Sequence, residues 1–157
     1  MSVIGAAVGL AVSLTLAMPG AATAAETAAI GLDRFANYEH KQCIEESVYD
    51  QFIVTAQTCD RTNSQQYWYW NGNTNTSSAL QNSVWDHCLD SNSQRHVYMS
   101  TCSGNNNQLW QIIQPAPASA VMLRNTATRL CLYQTHGGLY ATETCDRNDR
   151  DQRWTIG

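Results

Sequence analysis

One unit of chain, written three times, limits the fold more than any other feature of this sequence. Cys59, Cys102 and Cys145 recur every 43 residues, and Cys43, Cys88 and Cys131 at intervals of 45 and 43. Trp68, Trp110 and Trp154 keep nearly the same period, each two residues after a glutamine (Gln66, Gln108, Gln152). Six residues before the first cysteine of each unit stands an asparagine (Asn37, Asn82, Asn125), and two before that a large apolar residue (Phe35, Leu80, Leu123). Ile44, Leu89 or Leu132 follows the first cysteine. A unit of this length cannot bury its apolar face alone, so three of them must close around a shared core.

Within each unit the local pattern is that of a β protein. Phe52-Ile53-Val54-Thr55, Val97-Tyr98-Met99 and Leu139-Tyr140-Ala141-Thr142 are short and rich in strand formers. Around the tryptophans the period is two: Trp68 with Trp70, Trp110 with Ile112 and Trp154 with Ile156 share one face, and the residues between take the other. Asn71-Gly72-Asn73, Ser103-Gly104-Asn105 and His136-Gly137-Gly138 read as turns. Pairing the cysteines within each unit, as Cys43–Cys59, Cys88–Cys102 and Cys131–Cys145, makes the three units alike. Each bridge then closes a loop of roughly 15 residues, for which the chain-entropy model gives about 3 kcal/mol. A propeller blade has a similar period, but three blades are too few to close a propeller, and the Trp-Asp dipeptide of such blades occurs only at Trp85-Asp86.

Six cysteines suit an oxidising compartment. The start of the chain agrees. Residues 1–24 hold no charge, an apolar run from Val3 to Ala17, a Pro19-Gly20 break and a small-x-small Ala22-Thr23-Ala24 site. This reads as a secretion signal, lacking only the usual Lys or Arg near the start. The expected product is an extracellular domain over 25–157, with repeats at about 30–73, 74–116 and 117–157 and no membrane span once the signal is removed. No metal or cofactor is expected: there is no Cys-x-x-Cys, and His40, His87, His96 and His136 have no ligand spacing. Nine basic residues against thirteen acidic ones give a net charge of −4 with no basic run, which argues against nucleic acid. Abundant Asn, Gln, Ser, Thr, Trp and Tyr suit neutral, hydroxyl-rich partners instead.

The thrice-repeated Gln-x-Trp with paired cysteines resembles the ricin-type lectin family, also met as carbohydrate-binding modules. The resemblance covers roughly Ile30 to Gly157. It implies a β-trefoil, a six-stranded barrel capped by three hairpins, with one shallow sugar pocket available per repeat. In the family an acidic residue two after the first cysteine accepts from sugar hydroxyls, an amide just before the Gln-x-Trp glutamine acts beside it, and an aromatic two before the second cysteine stacks on the sugar. In the middle repeat these positions hold Asp90, Asn107 and Ser100. Tyr98, on the same strand face as Ser100, is the ring available to replace it. Gln108 is expected to orient Asp90, as its counterpart in the family does. In the first repeat they hold Glu45, Gln65 and Gln57, each polar arm one methylene longer, which makes a weaker second site. In the third they hold Tyr133, Asp151 and Glu143, and the sugar set is gone.

The Gln-x-Trp pairs and the three asparagines are expected to be structural, packing the core and capping turns. Trp85, which has no counterpart in the other repeats, fits a loop anchor and an exposed stacking platform equally. No Gly-x-Ser-x-Gly, His-Glu-x-x-His or Walker loop is present, so no catalytic residues are assigned. The expected function is a secreted lectin for neutral sugars. The alternative is a protein-interaction or inhibitor module on the same scaffold, suggested by Ser100, Tyr133 and Asp151.

Overall fold

A computed structural model describes residues 30–50, 52–114 and 120–157. The secretion signal expected over residues 1–24 lies outside the described residues. The first repeat supplies β1 (Gly31–Asp33), β2 (Phe35–Asn37), β3 (Gln42–Glu46), β4 (Val54–Thr58) and β5 (Trp68–Trp70). The second supplies β6 (Ser77–Ala79), β7 (Gln81–Asn82), β8 (His87–Ser91), β9 (Val97–Thr101) and β10 (Leu109–Ile113). The third supplies β11 (Met122–Asn125), β12 (Cys131–Gln134), β13 (Tyr140–Glu143) and β14 (Trp154–Ile156).

The pairing closes a barrel. The first strand of each repeat begins against the last strand of its own repeat: β1 on β5, β6 on β10, and Val121 on Trp154. It then continues against the last strand of the repeat before it in the ring: β2 on β14, β7 on β5, β11 on β10. First and last strands therefore alternate around one closed ring, and no long sheet edge is left open there. The hairpins β3–β4, β8–β9 and β12–β13 cap one end. This is a β-trefoil with one disulfide per repeat, Cys43–Cys59, Cys88–Cys102 and Cys131–Cys145, at sequence separations of 16, 14 and 14.

Each column of the repeat has a physical task. Trp68, Trp110 and Trp154 are fully buried with Phe35, Leu80 and Leu123 in a single core. Their indole N–H groups donate to the carbonyls of Ile44 (3.2 Å), Leu89 (2.8 Å) and Leu132 (3.2 Å), so the barrel is tied to the capping hairpin of the same repeat. The glutamine amides donate to Thr58, Thr101 and Thr144 and accept from the N–H groups of Asp60, Ser103 and Asp146, all within 2.7–3.0 Å. Asn37, Asn82 and Asn125 cross between repeats, donating to the carbonyls of Asp151, Gln65 and Asn107 at 2.6–2.8 Å. Their own side-chain oxygens accept from the turns that follow.

The hairpins meet by a second threefold set. Met99, Thr142 and Ala56 donate their N–H groups to the carbonyls of Phe52, Arg95 and Gly138 in a neighbouring repeat, at 2.8, 3.2 and 3.1 Å. Those three acceptors share left-handed φ values of 78°, 69° and 79°. Only the third is a glycine, the residue for which that conformation is free of strain.

Buried polar pairs also join the repeats. Gln134 donates to Gln42 at 2.5 Å, and at the equivalent place Glu46 meets His87 Nδ1 at 2.5 Å. Glu46 is 1% exposed, and its other oxygen, Oε2, has no hydrogen-bond partner among the described residues. Burial raises its carboxyl above the usual 4.5, against the lowering effect of the His87 hydrogen bond and charge. Folding thus favours protonated Glu46. Its contribution to stability is complete below about pH 4.5 and is lost as pH rises through the raised native value. Glu46→Gln is expected to melt higher than the parent at pH 7, with the difference shrinking toward pH 4.5. Thermal denaturation followed by circular dichroism across that range checks it, and a constant difference would contradict it.

Candidate carbohydrate-binding site

The three equivalent pocket positions start from the same backbone. The residue before each Gln-x-Trp glutamine donates its N–H to a side-chain oxygen two positions back, Gln65 to Asn63, Asn107 to Asn105 and Asp151 to Asp149, at 2.8–3.0 Å. Its carbonyl is held by the asparagine of the next repeat in the ring. A side chain at this position is therefore presented from a fixed backbone.

In the middle repeat Asn107 has a third anchor, its carbonyl accepting from Ser91 N–H at 3.1 Å. Its half-buried side chain lines a cleft of about 460 Å³ between the second and third repeats. Asn92, Ser93 and Thr128 supply polar walls, and Ala127 and Leu130 supply apolar surface. None of these residues is charged.

Asp90 lies deeper. It is 4% exposed, and its Oδ1 has no hydrogen-bond partner among the described residues. Tyr98 stands directly across from it in the β8–β9 register. Burial, then the charge of Asp90 and a hydrogen bond to it, raise the Tyr98 phenol above its usual value. The hydroxyl therefore stays protonated and serves Asp90. The ring borders a different cavity at the hairpin end, not the cleft that Asn107 lines. Gln108 also differs from the sequence expectation. Its amide holds the turn after β9, donating to Thr101 at 2.9 Å and accepting from Ser103 and Gly104 at 2.7 and 3.3 Å. In the structure it does not orient Asp90: the shorter carboxylate points to Tyr98 instead.

The first repeat has the arrangement that the second lacks. Glu45 is half-buried, and its Oε2 accepts from both Gln66 and Asn63 at 2.8 Å. The longer glutamate arm bridges the gap that Asp90 does not. Gln65 is half-buried on its pinned backbone. In the third repeat, Tyr133 replaces the acid. Its phenol is raised by burial, then by the charges of Glu143 and Asp149, with Arg95 opposing and Asp151 adding. Asp151 is paired with His40 at 3.2 Å. This is a ring among carboxylates, without the acid–amide pair. Trp85 is 39% exposed on its loop.

The repeat pattern did not bring out Asn63, Asn92, Ser93 and Thr128. Asn63 was open to discovery, because Asn63, Asn105 and Asp149 form one more column, three residues before each glutamine. Thr128 was not, because it reaches the cleft from the following repeat.

Solved structures share this architecture at low sequence identity. A designed threefold-symmetric protein, ThreeFoil, matches with a TM-score of 0.68 at 12% identity, over 80% of this chain and 96% of its own. SeviL, solved with asialo-GM1 saccharide, matches at 0.66 and 16%, over 82% of this chain and 98% of its own. The Polyporus squamosus lectin, solved with a Neu5Acα2-6Galβ1-4GlcNAc epitope, matches at 0.67 and 16%, over 81% of this chain but only 48% of its own. At such identities these likenesses speak for the fold. No curated protein matches the sequence. The sequence model of the ricin-type beta-trefoil lectin domain does match, over residues 76–157, just over half of the chain and all of the last two repeats' bridged loops. With the barrel, the bridged repeats and the Gln-x-Trp hydrogen bonds, that match places the chain in the ricin-type β-trefoil lectin family.

Proposed function

We propose that the chain is a secreted, non-catalytic carbohydrate-binding protein that takes neutral sugar in the cleft between its second and third repeats. The observation that carries this reading is the lining of the cleft. Its amides and hydroxyls come from Asn92, Ser93, Asn107 and Thr128, set beside the apolar Ala127 and Leu130, with no charged side chain among them. Such a surface fits a pyranose, whose hydroxyls need donors and acceptors together and whose C–H face needs apolar cover. The cleft volume of about 460 Å³ is in the range of small-ligand sites. In the same repeat Asp90, which does not line the cleft, holds a buried carboxylate oxygen without a donor among the described residues, which a sugar hydroxyl reaching it would satisfy. Glu45 and Gln65 supply a second, weaker site. All six cysteines are bridged, which supports an oxidising, extracellular setting. The saccharides in the SeviL and Polyporus squamosus lectin structures support the ligand class.

A glycan array probed with the whole chain tests the reading. Asn107→Ala and Asp90→Asn, each shown by circular dichroism to be folded, are expected to weaken binding about tenfold or more, the effect of losing a hydrogen bond to a charged or pinned group. Glu45→Gln is expected to do less. Binding unchanged in both middle-repeat variants would remove this cleft as the site. The loss of the sugar set at Tyr133 and Asp151 favours one other reading, a protein-interaction module. Retention of a secreted protein partner, with no glycan bound on the array, would favour that instead.

A further inference from the structure

A second cavity of about 460 Å³ lies at the hairpin end, built from equivalent positions of all three repeats. Val54, Val97 and Tyr140, each 43 residues apart, line it, and Ile53, His96 and Leu139 form the next equivalent set. The space therefore surrounds the pseudo-threefold axis. Two of the three inner side chains are valines, too short to fill it. The third, Tyr140, is committed elsewhere: its hydroxyl donates to the Cys43 carbonyl at 3.3 Å, and its ring lies 5.6 Å from that of Trp154. Ile53 and Leu139 are 40% and 62% exposed, so the apolar wall continues to the mouth.

Besides Tyr140 and Tyr98, the latter's hydroxyl serving Asp90, the polar side chains on this cavity are Arg95, His96 and Thr135, and each can donate. Arg95 gives one N–H to Glu143 at 2.8 Å, and a guanidinium carries five. That pair is exposed on both sides and so is held weakly. His96 adds a ring N–H. Thr135 Oγ1 accepts from Leu139 N–H at 3.1 Å and keeps its own proton to donate.

We propose that this axial cavity binds a single-chain amphiphile, with its apolar tail between the three repeats and an anionic carboxylate head on Arg95, His96 and Thr135. An apolar shaft with donors gathered at the mouth is the complement of such a molecule, and a net hydrogen-bond acceptor is the head those donors require. The cavity has no lining residue in common with the sugar cleft; Tyr98, bonded to Asp90, is the one link between the two sites, and the head group is assigned to Arg95, His96 and Thr135 without it.

Isothermal titration of the full chain with decanoate, below its micellar concentration, tests this, with decanol and decyltrimethylammonium as the neutral and cationic comparisons. Saturable binding of one decanoate per chain is expected. Arg95→Gln should weaken decanoate about tenfold while changing decanol less than about threefold. Ala141→Phe, which fills the cavity from β13, should abolish both, and if that variant fails to fold, the Arg95→Gln comparison decides alone. The proposal is overturned if decanoate does not saturate, if it binds in several equivalents, or if the cationic chain binds as well as the anionic one. It is also overturned if sedimentation shows a dimer that decanoate does not dissociate, which would make a second copy the occupant.

Discussion

Trp110→Ala is expected to destabilise the fold by about 3–5 kcal/mol, the usual effect of emptying a large aromatic site in a core. The indole is fully buried and belongs to the one cluster shared by all three repeats. Its removal opens a cavity in the barrel and also leaves the Leu89 carbonyl without the donor it meets at 2.8 Å. Trp68 and Trp154 make the same two contributions in their repeats, so their alanine variants should behave alike. Trp85→Ala is the control. That residue is 39% exposed, with no counterpart in the repeat pattern, and should change stability by no more than about 0.5 kcal/mol. Urea unfolding followed by tryptophan fluorescence gives both numbers. If Trp110→Ala leaves no folded protein to titrate, Trp110→Phe keeps one six-membered ring, loses the five-membered ring with its N–H, and should still cost about 1–3 kcal/mol. Equal small effects at positions 85 and 110 would contradict the core assignment.

Reducing the three disulfides is expected to unfold the chain at 37 °C. Each bridge closes a short loop, at separations of 16, 14 and 14 residues. The chain-entropy model gives about 3 kcal/mol for such a loop. Three together are comparable to the whole stability of an ordinary domain, about 5–15 kcal/mol. Reductant has a way in, because Cys59, Cys102 and Cys145 are only partly buried while their partners lie in the core. The single pair replaced as Cys88→Ser with Cys102→Ser should lower stability by about 3 kcal/mol and leave a cooperative transition. Circular dichroism with and without a phosphine reductant checks the first expectation, and urea titration the second. A reduced chain that melts as cooperatively and as high as the oxidised one would show that the core holds the repeats without the bridges.

These two expectations rest on residues visible in the sequence. The asparagine, cysteine, glutamine and tryptophan columns recur because each residue answers a fixed need of its own repeat or of its junction with the next. An indole N–H needs a carbonyl on the capping hairpin, a glutamine amide holds one turn, and an asparagine pins the residue at the pocket. The strands around the tryptophans were legible from their period of two, and Trp68 and Trp70 are buried with Tyr69 exposed between them. The candidate site was less legible. Asp90 matches the family pattern better than Glu45, yet Asp90 is buried against Tyr98 while Glu45 is the acid that two amides hold. One methylene of reach decides which acid the Gln-x-Trp glutamine meets, and the repeat pattern does not register that difference.

By itself the sequence determined three equivalent β units, their core residues and one bridge inside each, because all of these follow from side-chain chemistry returning at a constant spacing; the closed barrel was what the resemblance to the ricin-type family implied. Tertiary structure alone decided what lies between the units. Asn107 shares a cleft with Thr128, Glu46 meets His87, Gln134 meets Gln42 and three hairpins leave an axial cavity. The physical reason is that these neighbours come from different repeats, up to 92 positions apart in the chain. Only closure of the ring brings them together, and no local spacing encodes where that closure sets them.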